Sequence, residues 1–173
     1  MSGFEPLLAL REGVELREAG DGALTLATAW GETPLGPASP GMRAGMLALA
    51  NGGGTADAIA GIAQAAEPAM PLADLYFRID RLARVGFLSF TGVADGRALL
   101  RATPTTRGAP LAKVDLADGH AVRASRFACC RREGETMVVE SPLAPFRVEL
   151  LAPEASAVFA ALATPYAPPD DAA

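Results

Sequence analysis

Short apolar or alternating runs fill about the first fifth of the chain, and the pattern then switches to a helical spacing. Leu7–Leu10 and Val14–Arg17 are short apolar or alternating runs, followed by the turn Ala19-Gly20-Asp21-Gly22. Leu24 to Trp30 has the β-branched and aromatic content of a strand, and Gly31 to Gly36 turns into a short third strand. Pro34 has no amide donor, which predicts that this third strand lies at a sheet edge.

Helical periodicity begins at Ser39, a suitable N-cap with Pro40 at the first helical position and Met42, Met46 and Leu49 on one face. Asn51-Gly52-Gly53-Gly54 stops that helix. Thr55 caps the next, with Asp57 in its first turn and Ile59, Ile62, Ala63 and Ala66 as its apolar face. Pro68 and Pro71 separate it from a third helix over Leu72–Val85, whose inner stripe is Leu72, Leu75, Tyr76, Ile79, Leu82 and Ala83. Gly86 ends it. Phe87–Thr91, the turn Ala94-Asp95-Gly96 and the return Ala98–Ala102 then read as a β-wing. Three short helices closed by a hairpin make a winged helix-turn-helix.

Residues 103–119 read as a linker. A second strand cluster follows, with strands at Val122–Arg131, Thr136–Glu140 and Phe146–Leu151, a Glu133-Gly134-Glu135 turn, and a helix over Pro153–Leu162. The order strand, turn, strand, strand, helix repeats that of residues 7–50. The expected fold is therefore α+β, a winged helix-turn-helix preceded by a small antiparallel sheet and followed by a partial second copy. The expected divisions are a winged module at 1–102, a linker at 103–119, an incomplete second module at 120–163 and a fraying tail at 164–173.

Composition removes several function classes. A chain of 173 residues needs no metal or disulfide staple, and one His with two Cys is too few for a four-ligand Cys/His zinc site. Cys129 and Cys130 are neighbours, expected as two reduced thiols because a disulfide between them forces unusual geometry. There is no run of 18 uncharged apolar residues and no signal-peptide pattern at the start, so a cytoplasmic location is expected. The net charge of −5 argues against general nucleic-acid binding, and residues 1–86 carry 10 acidic against 6 basic side chains.

Candidate chemistry is sparse. The triple glycine before a helix invites a phosphate-loop reading, but the single lysine is Lys113 and a helix precedes the glycines, so a helix-to-helix turn fits better. A hydrolytic triad would depend on His120, which has no nucleophile motif near it. Arg123, Arg126, Arg131 and Arg132 form a basic stretch, with Glu133, Glu135 and Glu140 close by in sequence. On the third helix Arg81 and Arg84 lie opposite the apolar stripe, Arg78 lies at its margin, and Phe77 projects between Arg81 and Arg84. That face reads as a solvated arginine face, as an anchor for a partner peptide, or as a winged-helix DNA-recognition surface.

Ser125-Arg126-Phe127-Ala128-Cys129-Cys130-Arg131-Arg132-Glu133-Gly134, followed by Val138-Val139-Glu140-Ser141-Pro142-Leu143, resembles the N-terminal region of SagB-type dehydrogenases. These enzymes oxidise azolines to azoles with FMN in thiazole/oxazole-modified microcin pathways. Leu35-Gly36-Pro37 through Phe87-Leu88 is similar to the winged-helix segment of that family and to PqqD-like domains, which bind the leader of a precursor peptide.

The resemblance implies a non-catalytic docking module whose partners are a leader peptide and a cyclodehydratase/dehydrogenase complex, with a homodimer left open. In that family FMN belongs to the following domain, which the residues after Ala163 are not expected to accommodate, so no cofactor or catalytic residue is expected in this chain. A scaffold portion of such a dehydrogenase, in cis or in trans, and a DNA-binding regulator are the alternatives. In the PqqD-like pattern an extended leader adds to the third strand beside the third helix. The peptide-binding residues this implies are Glu32, Thr33, Leu35, Tyr76, Phe77, Arg78, Arg81 and Arg84. Pro34 removes one donor from that edge.

Overall fold

The structure, a computed structural model, describes residues 5–20, 22–108 and 121–165. Lys113, His120, most of the expected linker and the end of the tail lie outside the described residues. The chain is α+β, with four helices and two antiparallel sheets among the described residues.

The smaller sheet is the meander β2 (Glu15–Glu18), β3 (Ala23–Thr28) and β4 (Gly31–Pro37), with β4 at one edge. β1 (Leu7–Leu10) leaves this meander and pairs with β5 (Leu88–Ala94) instead. The larger sheet runs β1-β5-β6-β9-β8-β7, where β6 is Arg97–Pro104, β7 Cys129–Glu133, β8 Thr136–Glu140 and β9 Phe146–Leu150. The strands after residue 120 thus continue the sheet that β5 and β6 begin.

Three helices lie between β4 and β5 in sequence: α1 (Pro40–Ala50), α2 (Ala56–Ala66) and α3 (Leu72–Arg84). Ser39 and Thr55 cap the first two as their sequence predicts, each accepting a bond from the backbone amide three residues on. Leu75, Ile79 and Leu82 bury the inner face of α3, each contributing about 2 kcal/mol by loss of apolar surface from water. They join Leu24, Leu26, Met46, Leu49, Ile59 and Leu88 in one core cluster that spans both sheets. A short helix α4 (Pro153–Ala161) follows β9.

The triple glycine is a contact between backbones. Gly54 and Leu8 exchange amide bonds of 2.8 and 3.0 Å. A Cβ on Gly53 would stand 1.8 Å from the Leu8 carbonyl oxygen, and its φ of +75° favours glycine as well. The site a phosphate loop would offer is filled by β1.

Some expectations shift. Trp30 is not a strand residue: β3 stops at Thr28, and Ala29-Trp30 form the two-residue turn into β4. The expected strand from Val122 is shorter, because Ser125-Arg126-Phe127 turns, with the Ala128 amide bonding the Ser125 carbonyl at 2.8 Å. Tyr76 is not part of the buried stripe; its hydroxyl donates to Asp57 on α2 at 2.9 Å. On α2 the buried face is Ile59, Ala60 and Ala63, leaving Ile62 half-exposed and Ala66 exposed. Cys129 and Cys130 are free and exposed.

Candidate functional site

The two meanders treat their last strands differently. In β7-β8-β9 the outer side of the last strand is taken, since β6 pairs antiparallel with β9 from Leu100↔Leu150 to Pro104↔Phe146. In β2-β3-β4 the outer side of β4 carries no strand among the described residues.

Which backbone groups face that open side follows from the register. The Ala19 amide bonds the Ala23 carbonyl at 2.9 Å, so Ala23, Thr25 and Ala27 direct their backbone groups toward β2. Leu24, Leu26 and Thr28 then bond to Gly36, Thr33 and Gly31 of β4. Glu32 and Pro34 turn their backbone outward. The absent N–H of Pro34 therefore falls on the open side, the position where an edge strand tolerates proline. Leu35 is the extra residue of a bulge between Pro34 and Gly36, and its carbonyl accepts Arg78 Nη1 at 2.8 Å. Among the described residues, no strand partner meets the Glu32 amide or the carbonyls of Glu32 and Pro34.

The wall opposite this edge is the C-terminal end of α3. That helix ends in a Schellman turn: the Phe87 amide bonds the Leu82 carbonyl at 2.9 Å and the Gly86 amide bonds Ala83 at 3.0 Å, with Gly86 at φ +81°. The turn directs Val85 and Phe87 beneath the β4 edge. Two cavities of about 290 and 370 Å³ share Thr33, Val85, Phe87 and Arg107, forming one trough along β4. One end holds Leu35, Arg78 and Arg81; the other holds Arg11 and Trp30.

The trough is electropositive. Among the described residues Arg11, Arg78, Arg81 and Arg107 line it against a single carboxylate, Glu32, which is held by Arg17 at 3.0 Å. Arg78 is committed to Leu35, and Arg11 lies over the Trp30 ring at 6.0 Å. Arg81 and Arg107 have no ion-pair partner among the described residues.

The sequence-derived residues divide accordingly. Thr33, Leu35, Arg78 and Arg81 share one end of the trough, and Glu32 lines the other part. Tyr76 faces α2, Arg84 pairs with Asp80 at 2.7 Å, and Phe77 is 67% exposed outside the trough lining. Trp30, Arg11 and Arg107 were not found from sequence. Arg11 and Arg107 are distant from β4 along the chain, and only the antiparallel pairing brings them to it. The signal for Trp30 was its place directly before Gly31. In the other basic stretch Arg131 pairs with Glu133 and Glu140, Arg132 pairs with Glu135, and Arg126 lies over the Phe127 ring at 4.7 Å.

Magnitudes separate the roles of backbone and side chains here. Three edge hydrogen bonds contribute about 3 kcal/mol at about 1 kcal/mol each, whereas micromolar binding needs about 8 kcal/mol. Any strand added at β4 must draw most of its affinity from the side chains of the trough.

Metal binding has no support among the described residues, which hold no group of three His, Cys, Asp or Glu placed for an ion. Two backbone positions that could receive a phosphate are already occupied. The glycine turn is filled by Leu8, and the amide of Gly41 at the start of α1 is taken by the Glu67 carboxylate at 2.9 Å. No helix among them is long and apolar enough to cross a membrane.

Residues 122–172, less than a third of the chain, match the family model of the cyanobactin oxidase ThcOx. This links the chain to the azoline-processing enzymes of ribosomally made peptides. The match covers β7, β8, β9 and α4, and the trough lies outside it apart from that shared sheet. No curated protein matches the chain significantly.

Proposed function

We propose that this chain is a non-catalytic docking module for a precursor's leader peptide in the biosynthesis of azole-containing ribosomal peptides. The observation that carries the reading is the open outer side of β4 facing the arginines of α3 across one trough. An extended peptide enters as a fourth strand, meets the Glu32 and Pro34 backbone groups, and places alternate side chains against Val85, Phe87 and the arginines. β6 already does this at β9, within the same protein. An acidic leader matches the trough's charge. The pathway rests on the match of residues 122–172 to an azoline-processing family.

That same match favours a second role for the strands after residue 120, as the scaffold that joins this module to an FMN-dependent oxidase domain, in cis or in trans. In this reading FMN belongs to the associated domain.

The test is a titration of the full chain with a fluorescein-labelled leader segment of an azole-forming precursor, alongside a scrambled leader of the same composition. Saturable binding at about 1–100 μM, selective over the scrambled peptide and weakened at least tenfold by Arg81→Glu, is expected. Equal binding of the two peptides, or none at high micromolar concentration, overturns the reading. Salt-sensitive retention on duplex DNA that is lost in Arg81→Glu would instead support the regulator.

A further inference from the structure

Trp30 is 86% exposed at the tip of the β3–β4 turn, and it is the single tryptophan of the chain. Its ring is held at the mouth of the trough beneath Arg11, whose backbone amide is tied to the Phe87 carbonyl at 2.9 Å. A large aromatic left in water on a strand-pairing edge is the kind of residue that anchors partners. Toward the opposite end stands Arg81, and Arg107 lines the stretch that both cavities share; neither has an ion-pair partner among the described residues. The two ends are four residues apart along β4, from Leu35 to Gly31. Leu35 is the bulged residue, so at roughly 3.3 Å per regular residue the span is about 10–13 Å, and on a regular guest strand residues four apart share a face.

We infer that the trough reads a two-anchor motif in an extended peptide: an acidic residue between Arg81 and Arg107, then an aromatic residue four positions later against Trp30. The order follows from strand direction. β6 adds antiparallel to β9, the counterpart of β4 in the second meander. A guest running antiparallel to β4 passes from the Leu35 end to the Trp30 end, so its acidic residue comes first. This inference rests on the peptide-docking reading and specifies which peptides that reading admits.

The probes are acetylated, amidated and fluorescein-labelled twelve-residue peptides with a Thr/Ser background and a central Glu-x-x-x-Phe. Variants carry Lys for Glu, Ser for Phe, a spacing of three, or the reversed order Phe-x-x-x-Glu. Binding is followed by anisotropy, with emission of Trp30 recorded on unlabelled peptides. The parent peptide is expected to bind and to shift Trp30 emission, and each variant to weaken binding at least tenfold. Trp30→Ser, on an exposed turn, should lower affinity for the parent peptide to that of its Phe-to-Ser variant.

Leader binding that depends on Arg81, with unshifted Trp30 emission and full affinity in Trp30→Ser, overturns this inference and leaves the docking reading intact. Equal affinity for the two orders or for the two spacings overturns the motif. Absence of binding by both the leader and the probes overturns inference and reading together.

Discussion

Arg78 and Leu35 are joined across the trough: the guanidinium of the helix donates to the carbonyl of the bulged strand residue at 2.8 Å. This bond sets the separation of α3 from β4 and ends the free edge, because it occupies the next outward carbonyl after Pro34. The bulge is what makes the carbonyl available, since a regular Leu35 would direct it toward β3.

Arg78→Leu keeps apolar bulk and removes the clamp. A charge-assisted bond of this kind, partly buried, should cost about 1–2 kcal/mol of stability when lost. Urea denaturation measures it; an unchanged midpoint would show that Arg78 holds nothing in place.

Gly53→Ala should be far more damaging than its neighbour. At Gly53 the new Cβ would stand 1.8 Å from the Leu8 carbonyl oxygen, whereas at Gly52 nothing lies within 4 Å and the cost is that of a positive φ alone. The expected losses are above about 2 kcal/mol for Gly53→Ala and about 1 kcal/mol for Gly52→Ala. Paired thermal melts compare them, and equal shifts would dismiss the close approach of β1.

Acid should destabilise the fold through three carboxyl groups held below the usual carboxylate range. Glu67 is lowered by Ser39 and by the Gly41 amide, Glu133 by Arg147 and then Arg131, and Glu154 by Arg97. Because the folded values are depressed, their stabilisation is complete above the unfolded value near 4.5 and disappears as pH falls through the folded values. Stability measured between pH 6 and pH 3 should fall less steeply in Glu67→Gln than in the parent. Identical slopes would mean that Glu67 contributes nothing to the dependence.

The helix face divides into two parts that peptide binding will separate. Arg81→Glu should weaken leader binding at least tenfold, whereas Phe77→Ser, outside the trough lining, should change it less than twofold. Anisotropy titrations of both variants decide the point. A large loss in Phe77→Ser would move the binding face around α3.

Much of this architecture was legible in the order of residues. Ser39-Pro40 and Thr55 mark helix starts through local side-chain capping, and Gly86 marks an end through a backbone conformation that glycine adopts freely. Asp95-Gly96, with φ of +51° and +73°, fixes the β5–β6 turn in the same local way. These signals need no distant partner. Thr33, Leu35, Arg78 and Arg81 were named through the resemblance to PqqD-like domains, and the structure gathers them along one cavity.

What failed to show in the sequence required contacts between distant segments. Tyr76 has the spacing of a core residue, but the packing angle of α3 turns it toward Asp57. Arg84 is different: its pairing with Asp80 is a local contact four residues back on the same helix.

By itself, then, the sequence determined the helices, the turns and the edge position of the third strand, since capping, glycine conformation and the missing proline amide act within a few residues. Tertiary structure decided the rest. It sent β1 to β5, filled the edge of β9 with β6, and brought Arg11, Trp30 and Arg107 to an edge of β4 that no other described strand covers. The reason is that strand pairing joins segments far apart in the chain, and no local propensity specifies which edge receives a partner.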